Sequence, residues 1–448
     1  MIKVITYGTY DLLHYGHRRL LERAKALGDY LIVGVTSDDY DKTRGKINNQ
    51  QSLMERVAAI KATGLADEVI AEEYDGQKID DIRKYGVDIF AIGSDWEGKF
   101  DYLNEYCKVI YLPRTEGISS SEIRTENRRL RIGLVGESNI IKKFERESKY
   151  VNGVTVVGIC SLNPEIRESA TNDIIVTDNY DVLLSEVDAV YLVSNPPQHY
   201  IQIKKALTAG KHVLCESPIV ENLNQCHELF KLAKEHNCVL MEGIKTAYST
   251  AYSRMLLLVK SGKIGEVVAV DATCTSLRDI KTDDSKFMKE SWNSIGAWGP
   301  TAMLPIFQLL GTEYLSKQII SQFADTDKTF DTFTRINFIY DKASASIKVG
   351  TGVKSEGELI ISGTKGYVYV PAPWWKLDYF ELRFEDSNEN KRYFYQLDGE
   401  GIRYEIVAFL KSINSGFISN DISLNVTEEI CSTIEDFCNR KDMIELRS

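Results

Sequence analysis

The sequence predicts an α/β protein in three parts. These are a small N-terminal domain entered by a strand–loop–helix unit, a doubly wound parallel-sheet domain, and a C-terminal α+β domain with a mostly antiparallel sheet. Three observations predict it. The apolar run Ile2-Lys3-Val4-Ile5-Thr6 passes through a glycine-containing loop into Arg18–Leu27, where Leu20, Leu21, Ala24 and Leu27 share one helical face. Beyond about Leu130, strand patterns (Thr155–Cys160, Ala189–Val193, His212–Cys215, Val239–Glu242) alternate with helical ones (Tyr200–Ala209, Leu223–His236), the signature of a parallel sheet covered on both faces. From about Val267 the rhythm changes to successive strands (Thr334–Tyr340, Ala343–Thr351, Glu356–Ser362, Gly366–Val370), closed by helices at Tyr404–Ser415 and Val426–Arg440. A chain of 448 residues is too long for one domain. The expected boundaries are 1–130, 131–250 and 251–448, with no long linker at the first break, where the charged helix end of Ser121–Leu130 runs into Arg131-Ile132-Gly133.

Composition narrows the function classes. A hydrophobic content of 43% suffices for buried cores, and a formal charge of −11 argues against a nucleic-acid surface. No apolar run approaches the ~18 residues of a membrane span, and the first strand begins at residue 2, so a cytoplasmic protein without membrane association is expected. The eight cysteines lack paired spacing and mostly sit in apolar runs, which reads as reduced core residues and no protein metal site.

The most informative stretch is Thr9-Tyr10-Asp11-Leu12-Leu13-His14-Tyr15-Gly16-His17, which holds two of the six histidines. Read alone, such residues are surface or capping histidines. Here both stand at a helix entrance, where backbone N–H groups and the helix dipole favour an anion, and two added donors make a polyphosphate site. Gly8 allows close backbone approach, and Arg44 and Lys46 follow the next strand, Tyr30–Thr36. A second run, Arg114-Thr115-Glu116-Gly117-Ile118-Ser119-Ser120, lies between the strand Val109–Leu112 and a helical stretch. Ser119 or Ser120 would cap that helix, and Arg114 offers a planar fork to phosphate oxygens.

With these residues in view, the first ~127 residues resemble a glycerol-3-phosphate cytidylyltransferase of the HxGH nucleotidyltransferase family. The resemblance rests on Gly8–His14, His17, Gly93-Ser94-Asp95-Trp96-Glu97-Gly98-Lys99-Phe100-Asp101 and Tyr111–Ser119. It implies that His14 and His17 contact the triphosphate of CTP and stabilise charge during in-line displacement. Arg44, Lys46 and Arg114 would hold the β- and γ-phosphates, with Ser119 and Ser120 assisting. Gly8, Thr9, Tyr10, Asp11, Asp95, Trp96 and Thr115 would lie around the nucleotide, and Mg2+ would accompany it. The chemistry suits a site rich in donors and poor in bases, because a phosphate monoester, with a second pKa of about 6, is already anionic at neutral pH. One departure concerns the acceptor. The family carries an arginine shortly before the Asp67-Glu68-Val69 strand, where this chain reads Thr63-Gly64-Leu65-Ala66 with Lys61 as a substitute cation. Glycerol 3-phosphate and a related polyol phosphate both remain open.

In the second half, Gly133-Leu134-Val135-Gly136-Glu137-Ser138-Asn139-Ile140-Ile141 is a degraded dinucleotide fingerprint, with Ser138 and Ile141 in place of the second and third glycines. With Ser194-Asn195-Pro196-Pro197-Gln198-His199, Ala209–Pro218 and Gly363–Tyr367, the stretch from about 131 to 440 resembles the Gfo/Idh/MocA oxidoreductase family. The resemblance implies an NAD or NADP coenzyme near Gly136, Ser138, Asn139, Ile140, Ser161, Ser194, Asn195, Pro196, His199, Glu216 and Ser217. It also implies a catalytic lysine where this chain reads Glu216-Ser217-Pro218, and an Asp and His near Ser294–Thr301 that are likewise missing. No histidine follows His236, so the candidates left to protonate an alkoxide are Lys245 and Tyr248. A solvated helix-end lysine stands as the other reading of Lys245. After the second strand Cys160-Ser161-Leu162-Asn163 offers no acidic residue for a ribose hydroxyl, which leaves NAD versus NADP open. The run Pro373-Trp374-Trp375-Lys376 reads as either a substrate wall or a subunit contact, with the contact favoured, in keeping with a homo-oligomer, either dimer or tetramer.

The expected whole is a bifunctional enzyme making a CDP-polyol and pyrophosphate and reducing a related keto-phosphate, its product serving a surface polysaccharide. The alternative is an active transferase on a catalytically dead oxidoreductase-like scaffold that dimerises.

Overall fold

The computed structural model describes the chain except residues 12, 14, 39–50, 75, 114–128, 172, 281–291, 416–420 and 447–448. It divides into two compact units, Met1–Arg129 and Leu130–Ser448.

The first unit is a five-stranded parallel sheet of order β3-β2-β1-β4-β5. Its strands are β1 (Lys3–Gly8), β2 (Tyr30–Thr36), β3 (Glu68–Glu72), β4 (Ile89–Gly93) and β5 (Lys108–Leu112), with helices α1 (Tyr15–Lys25), α2 (Leu53–Ala62) and α3 (Gln77–Tyr85). Successive side chains of a strand point to opposite faces, and here both faces are covered. Val4, Leu31 and Val33 pack with Leu21 and Ala24 of α1 on one side, while Ile5, Ile32 and Phe90 pack with Ile82 of α3 on the other. That is why these strands read as unbroken apolar runs. The first helix begins at Tyr15, three residues before the apolar spacing suggested, because the polar first turn carries no packing signal. β1 lies between β2 and β4, so the loops after β1 and β4 diverge at the switch point where this architecture places ligands.

The second unit holds two sheets. One is parallel, with six strands in the order β11-β10-β9-β6-β7-β8: β6 (Leu130–Val135), β7 (Val154–Cys160), β8 (Ile175–Thr177), β9 (Ala189–Leu192), β10 (His212–Glu216) and β11 (Leu240–Gly243). Its helices are α4 (Ile140–Ser148), α5 (Pro164–Ser169), α6 (Tyr180–Glu186), α7 (Pro196–Thr208), α8 (Leu223–Glu235) and α9 (Thr250–Lys260). Leu130 opens β6 and is not the end of a helix; the remainder of that helical reading, 121–128, lies outside the described residues.

The other sheet has nine strands in the order β19-β18-β17-β16-β12-β15-β14-β13-β20. They are β12 (Val267–Thr275), β13 (Ser316–Phe323), β14 (Asp331–Ile339), β15 (Ser344–Gly350), β16 (Leu359–Gly363), β17 (Gly366–Val370), β18 (Tyr379–Phe384), β19 (Lys391–Phe394) and β20 (Met443–Glu445). It is mixed: β12–β15 and β13–β20 run parallel and the other neighbours antiparallel. Helices α10 (Ser294–Leu310), α11 (Ile402–Ser415) and α12 (Leu424–Cys438) complete the unit. The C-terminal α12 returns to the first sheet. Its Cys431 enters the core with Cys226, Leu229 and Leu240, Thr427 Oγ1 donates to Glu242, and Asn222 Nδ2 donates to Glu435 at 2.6 Å. These contacts join both sheets into one unit.

The expected subunit contact at Pro373–Lys376 is corrected in part. Trp374 is fully buried and donates its Nε1 to the Thr273 carbonyl at 3.0 Å, while Trp375 packs on Trp298 at a centroid separation of 4.8 Å. Both indoles have partners within the chain. Five of the eight cysteines are buried and all are free thiols. Among the described residues no helix is long and apolar enough to cross a membrane.

Candidate active sites

At the carboxyl end of β1 the chain turns sharply. Tyr10 adopts φ +53° and folds its ring back into the core, where a Cβ on Gly8 would stand 3.0 Å from it. A side chain at residue 8 would therefore displace Tyr10. A bulky residue held at positive φ is uncommon and persists only where surroundings fix it. His17, in the first turn of α1, lies edge-on to the Tyr10 ring at 5.4 Å and 75°. Asp11 is buried and accepts the Gln51 N–H at 3.0 Å.

Arg56 of α2 holds this corner. Its side chain is wholly buried; Nη1 donates to the Thr9 carbonyl at 2.7 Å and the Thr36 carbonyl at 2.8 Å, Nε donates to Gln51 O at 3.1 Å, and Nη2 pairs with Asp38. The loops after β1 and β2 and the approach to α2 thus share one guanidinium. α2 itself starts at a capping box, Ser52 with Glu55, which fixes where Arg56 emerges.

On the other side of the switch point, Ser94–Trp96 form a short 3-10 turn after β4. Trp96 is half-buried against Phe100 at 5.9 Å, and Asp95 is exposed. A cavity of about 60 Å³ lies between the two loops, lined by Gly8, Thr9, Thr36, Glu72, Lys78 and Trp96. Its floor is charged: Lys78 pairs with Glu72, which also accepts Thr36 Oγ1 at 2.9 Å. Beside it Tyr7 donates to Asp81 at 2.8 Å, and burial together with that carboxylate keeps the phenol protonated.

The second unit has its own crevice at the carboxyl ends of β6, β7, β9 and β10. Gly136 takes φ +134°, and a Cβ there would lie 2.7 Å from the backbone of Val193 and 2.8 Å from that of Ser194. Only glycine fits. Ser138 and Asn139 are exposed at the start of α4, with Ile140 its first residue, while Ile141 is buried in the core. The Ser194 hydroxyl is buried and has no hydrogen-bond partner among the described residues. Asn195 caps α7 and Pro196 opens it. A glycine-tight turn, an open helix start and an orphaned hydroxyl at its rim fit a dinucleotide.

Deeper in, Glu216 accepts the Tyr191 hydroxyl. Glu405 of α11 is fully buried and neither of its oxygens has a hydrogen-bond partner among the described residues. Burial first, and then Glu216 beside it, raise the Glu405 pKa well above the carboxylate range, while Lys245 pulls it back. Burial likewise raises Glu216, again opposed by Lys245. Lys245 is half-buried at the start of the turn Lys245–Tyr248.

The comparisons follow this division. Residues 5–126 match the cytidylyltransferase-like family, and residues 130–244 match the oxidoreductase family with an NAD-binding Rossmann fold. The glycerol-3-phosphate cytidylyltransferase of Bacillus spizizenii is 54% identical over 126 residues, 28% of this chain and 97% of that protein. The chain joins a cytidylyltransferase-family domain to a Gfo/Idh/MocA-family oxidoreductase domain. A dTDP-3,4-didehydro-2,6-dideoxy-α-D-glucose 3-reductase of Streptomyces violaceoruber is 38% identical over 100 residues, 22% of this chain and 29% of that protein. A 3-ketoreductase from Actinomadura kijaniata, solved with NADP and TDP-benzene, superposes with a TM-score of 0.61 at 18% identity, over 71% of this chain and 100% of that one. At that identity the likeness is one of fold.

The structure brings Gly8, Thr9 and His17 together at one end of the cytidylyltransferase sheet, with Asp95 and Trp96 across the switch point. His14, Arg44, Lys46, Arg114, Thr115, Ser119 and Ser120 lie outside the described residues. Tyr10 and Asp11, expected beside the nucleotide, turn their side chains inward and shape the loop. In the oxidoreductase domain three expectations change. His199 is fully buried between the Pro218 carbonyl at 2.9 Å and the Ser194 carbonyl at 2.7 Å, so it clamps two loops and does not face a coenzyme; burial lowers its pKa. Ser217 donates its hydroxyl to the buried Glu242. Tyr248 is buried and donates its hydroxyl to the Glu242 carbonyl, so that proton is engaged within the protein. Sequence reasoning missed Arg56, Lys78 and Glu405. Arg56 and Glu405 are charged residues in apolar stretches, the signal that could have found them, whereas Lys78 lies among other charged residues and carries no such mark.

Glu405 gives a pH prediction. Its folded pKa lies above the unfolded value, so nothing is lost below about pH 4, where both states are protonated. As pH rises, the unfolded chain releases the proton first and the fold weakens, by up to about 1.4 kcal/mol per pH unit, until the folded pKa is passed. Glu405→Gln should therefore raise the melting temperature of the oxidoreductase unit at pH 8 and not at pH 4, read by calorimetry. An equal shift at both pH values would contradict a protonated Glu405.

Proposed function

We propose that the chain is a bifunctional enzyme. Its cytidylyltransferase domain transfers the cytidylyl group of CTP to a polyol phosphate, glycerol 3-phosphate first among them, and releases pyrophosphate. Its oxidoreductase domain uses NAD(P) on a related keto-phosphate. The observation that carries the first activity is the β1–α1 corner: His17 in the opening turn of α1, on a loop tied by Arg56 to the loop after β2. The relatives that match this domain over nearly their full length act on glycerol 3-phosphate.

In this reading the opening turn of α1, which carries no acidic residue, attracts the triphosphate, and His14 and His17 donate to its oxygens as charge moves onto the leaving pyrophosphate. Arg44, Lys46, Arg114, Thr115, Ser119 and Ser120 complete the phosphate grip. A magnesium ion bound with CTP neutralises part of the phosphate charge. The acceptor end differs from the family pattern: Thr63 bonds the Ile60 carbonyl through its hydroxyl at 2.6 Å, and Lys61 is exposed. A longer polyol phosphate therefore stays within the proposal.

In the oxidoreductase domain, Gly136, Ser138, Asn139, Ile140, Ser194, Asn195 and Pro196 would cradle the coenzyme, which supplies hydride. Lys245, beside Glu216 and Glu405, would hold the proton that the new alkoxide takes. A second reading, a scaffold without catalysis, is favoured by the inward engagement of Ser217 and His199.

His14→Ala should lower pyrophosphate release by more than ~100-fold with an unchanged melting temperature, the scale of one lost charge-stabilising donor. A variant within about tenfold of wild type would sink that role. Lys245→Met should abolish ketone reduction and leave coenzyme binding in place. An unchanged rate removes Lys245 from the site, and a wild-type protein that binds no coenzyme supports the scaffold.

A further inference from the structure

The first residue after the fingerprint glycine reaches across the crevice. Glu137 extends from the end of β6 to the loop after β7, where its carboxylate accepts Ser161 Oγ at 2.8 Å, Leu162 N at 2.9 and 3.1 Å, and Asn163 N at 2.7 Å. The Asn163 side-chain amide donates back to the Glu137 carbonyl at 3.3 Å. A hydroxyl and two consecutive backbone N–H groups converge on one anion, and the chain supplies that anion itself.

The position gives this meaning. In a doubly wound fold the loop after the second strand meets the adenosine ribose; a carboxylate there grips the 2′-hydroxyl of NAD, and an arginine accommodates the 2′-phosphate of NADP. This loop, Ser161-Leu162-Asn163, carries neither. Nearby Arg167 turns its Nη1 to the Ser161 carbonyl at 2.9 Å. We propose that Glu137 supplies the missing carboxylate from the opposite loop and so makes the oxidoreductase domain select NAD(H) over NADP(H).

Two physical effects act together. A 2′-phosphate, at about −1.5 to −2 charges, would face a carboxylate and find the loop's donors already taken. A 2′-hydroxyl instead donates to Glu137 Oε1, which accepts only the Leu162 N–H among the described contacts and keeps a lone pair. The selection comes from an unusual direction in sequence, one residue after Gly136, where an acidic side chain is ordinarily read as a solvated loop charge.

The inference rests on the reading that this domain binds a nicotinamide coenzyme, and the experiment separates the two. NADH and NADPH are titrated into the full chain and followed by their fluorescence. Wild type should bind NADH at least about tenfold more tightly than NADPH. Glu137→Gln, which keeps the side-chain volume, and Glu137→Ala should each tighten NADPH by at least about tenfold and close that gap. Tighter NADPH than NADH in wild type, or an unchanged ratio in both variants, overturns the role of Glu137 while leaving coenzyme binding intact. Failure of wild type to bind either dinucleotide overturns the coenzyme reading, and this inference with it.

Discussion

A parallel sheet buried on both faces leaves the loops at the carboxyl ends of its strands as the place where polar chemistry can be mounted, and both units obey that constraint. The cost is that loop backbones must find partners inside the protein, since an orphaned buried carbonyl or N–H is expensive. In the cytidylyltransferase domain one guanidinium meets that demand for three loop carbonyls at once, and its charge is balanced by Asp38. Tyr10 can then be held at positive φ with its ring in the core, which sets the approach to α1 and the place of His17. In the oxidoreductase domain His199, set between the Ser194 and Pro218 carbonyls, ties the loops after β9 and β10, and Ser217 donates to the buried Glu242.

In the proposed reading the two domains depart differently from their families. The first keeps the phosphate donors and differs at the acceptor end, where Thr63 bonds the Ile60 carbonyl. The second keeps the glycine-tight turn at Gly136 and differs in the charge around it. Where a lysine is expected after Glu216 there is a serine turned inward, Lys245 stands near Glu216 and the buried Glu405, and Glu137 is the carboxylate proposed for the ribose. Gly136 fitted against Val193 and Ser194, beside a Ser194 hydroxyl without a partner among the described residues, favours a retained coenzyme crevice over a scaffold.

The fold was legible in the sequence where a strand is buried on both faces or a helix has one apolar face: β1, β2, β7, β9, β10 and α8 all fall within a few residues of their patterns. The parallel pairs in the nine-stranded sheet were not, because pairing direction leaves no mark on alternation. Nor was the inward turn of Trp374, since a tryptophan with a partner for its indole N–H and one at an interface have the same local sequence. The described motif residues stand at strand ends and helix starts, as their local patterns suggest, but what their side chains touch depends on neighbours distant in sequence. His199 needs Pro218, Tyr10 needs Gly8 and His17, and Glu242 needs Thr427 on the last helix.

In the proposed function, the first of these loop-borne sites is a working CTP-dependent transferase for a polyol phosphate. The direct measurement is pyrophosphate release by the full chain with CTP and magnesium, comparing glycerol 3-phosphate with four- and five-carbon polyol phosphates, and CTP with ATP. Turnover is expected with CTP and one of these acceptors, and little with ATP. Tight CTP binding with no pyrophosphate from any acceptor would contradict it, and would make the N-terminal domain a nucleotide-binding module.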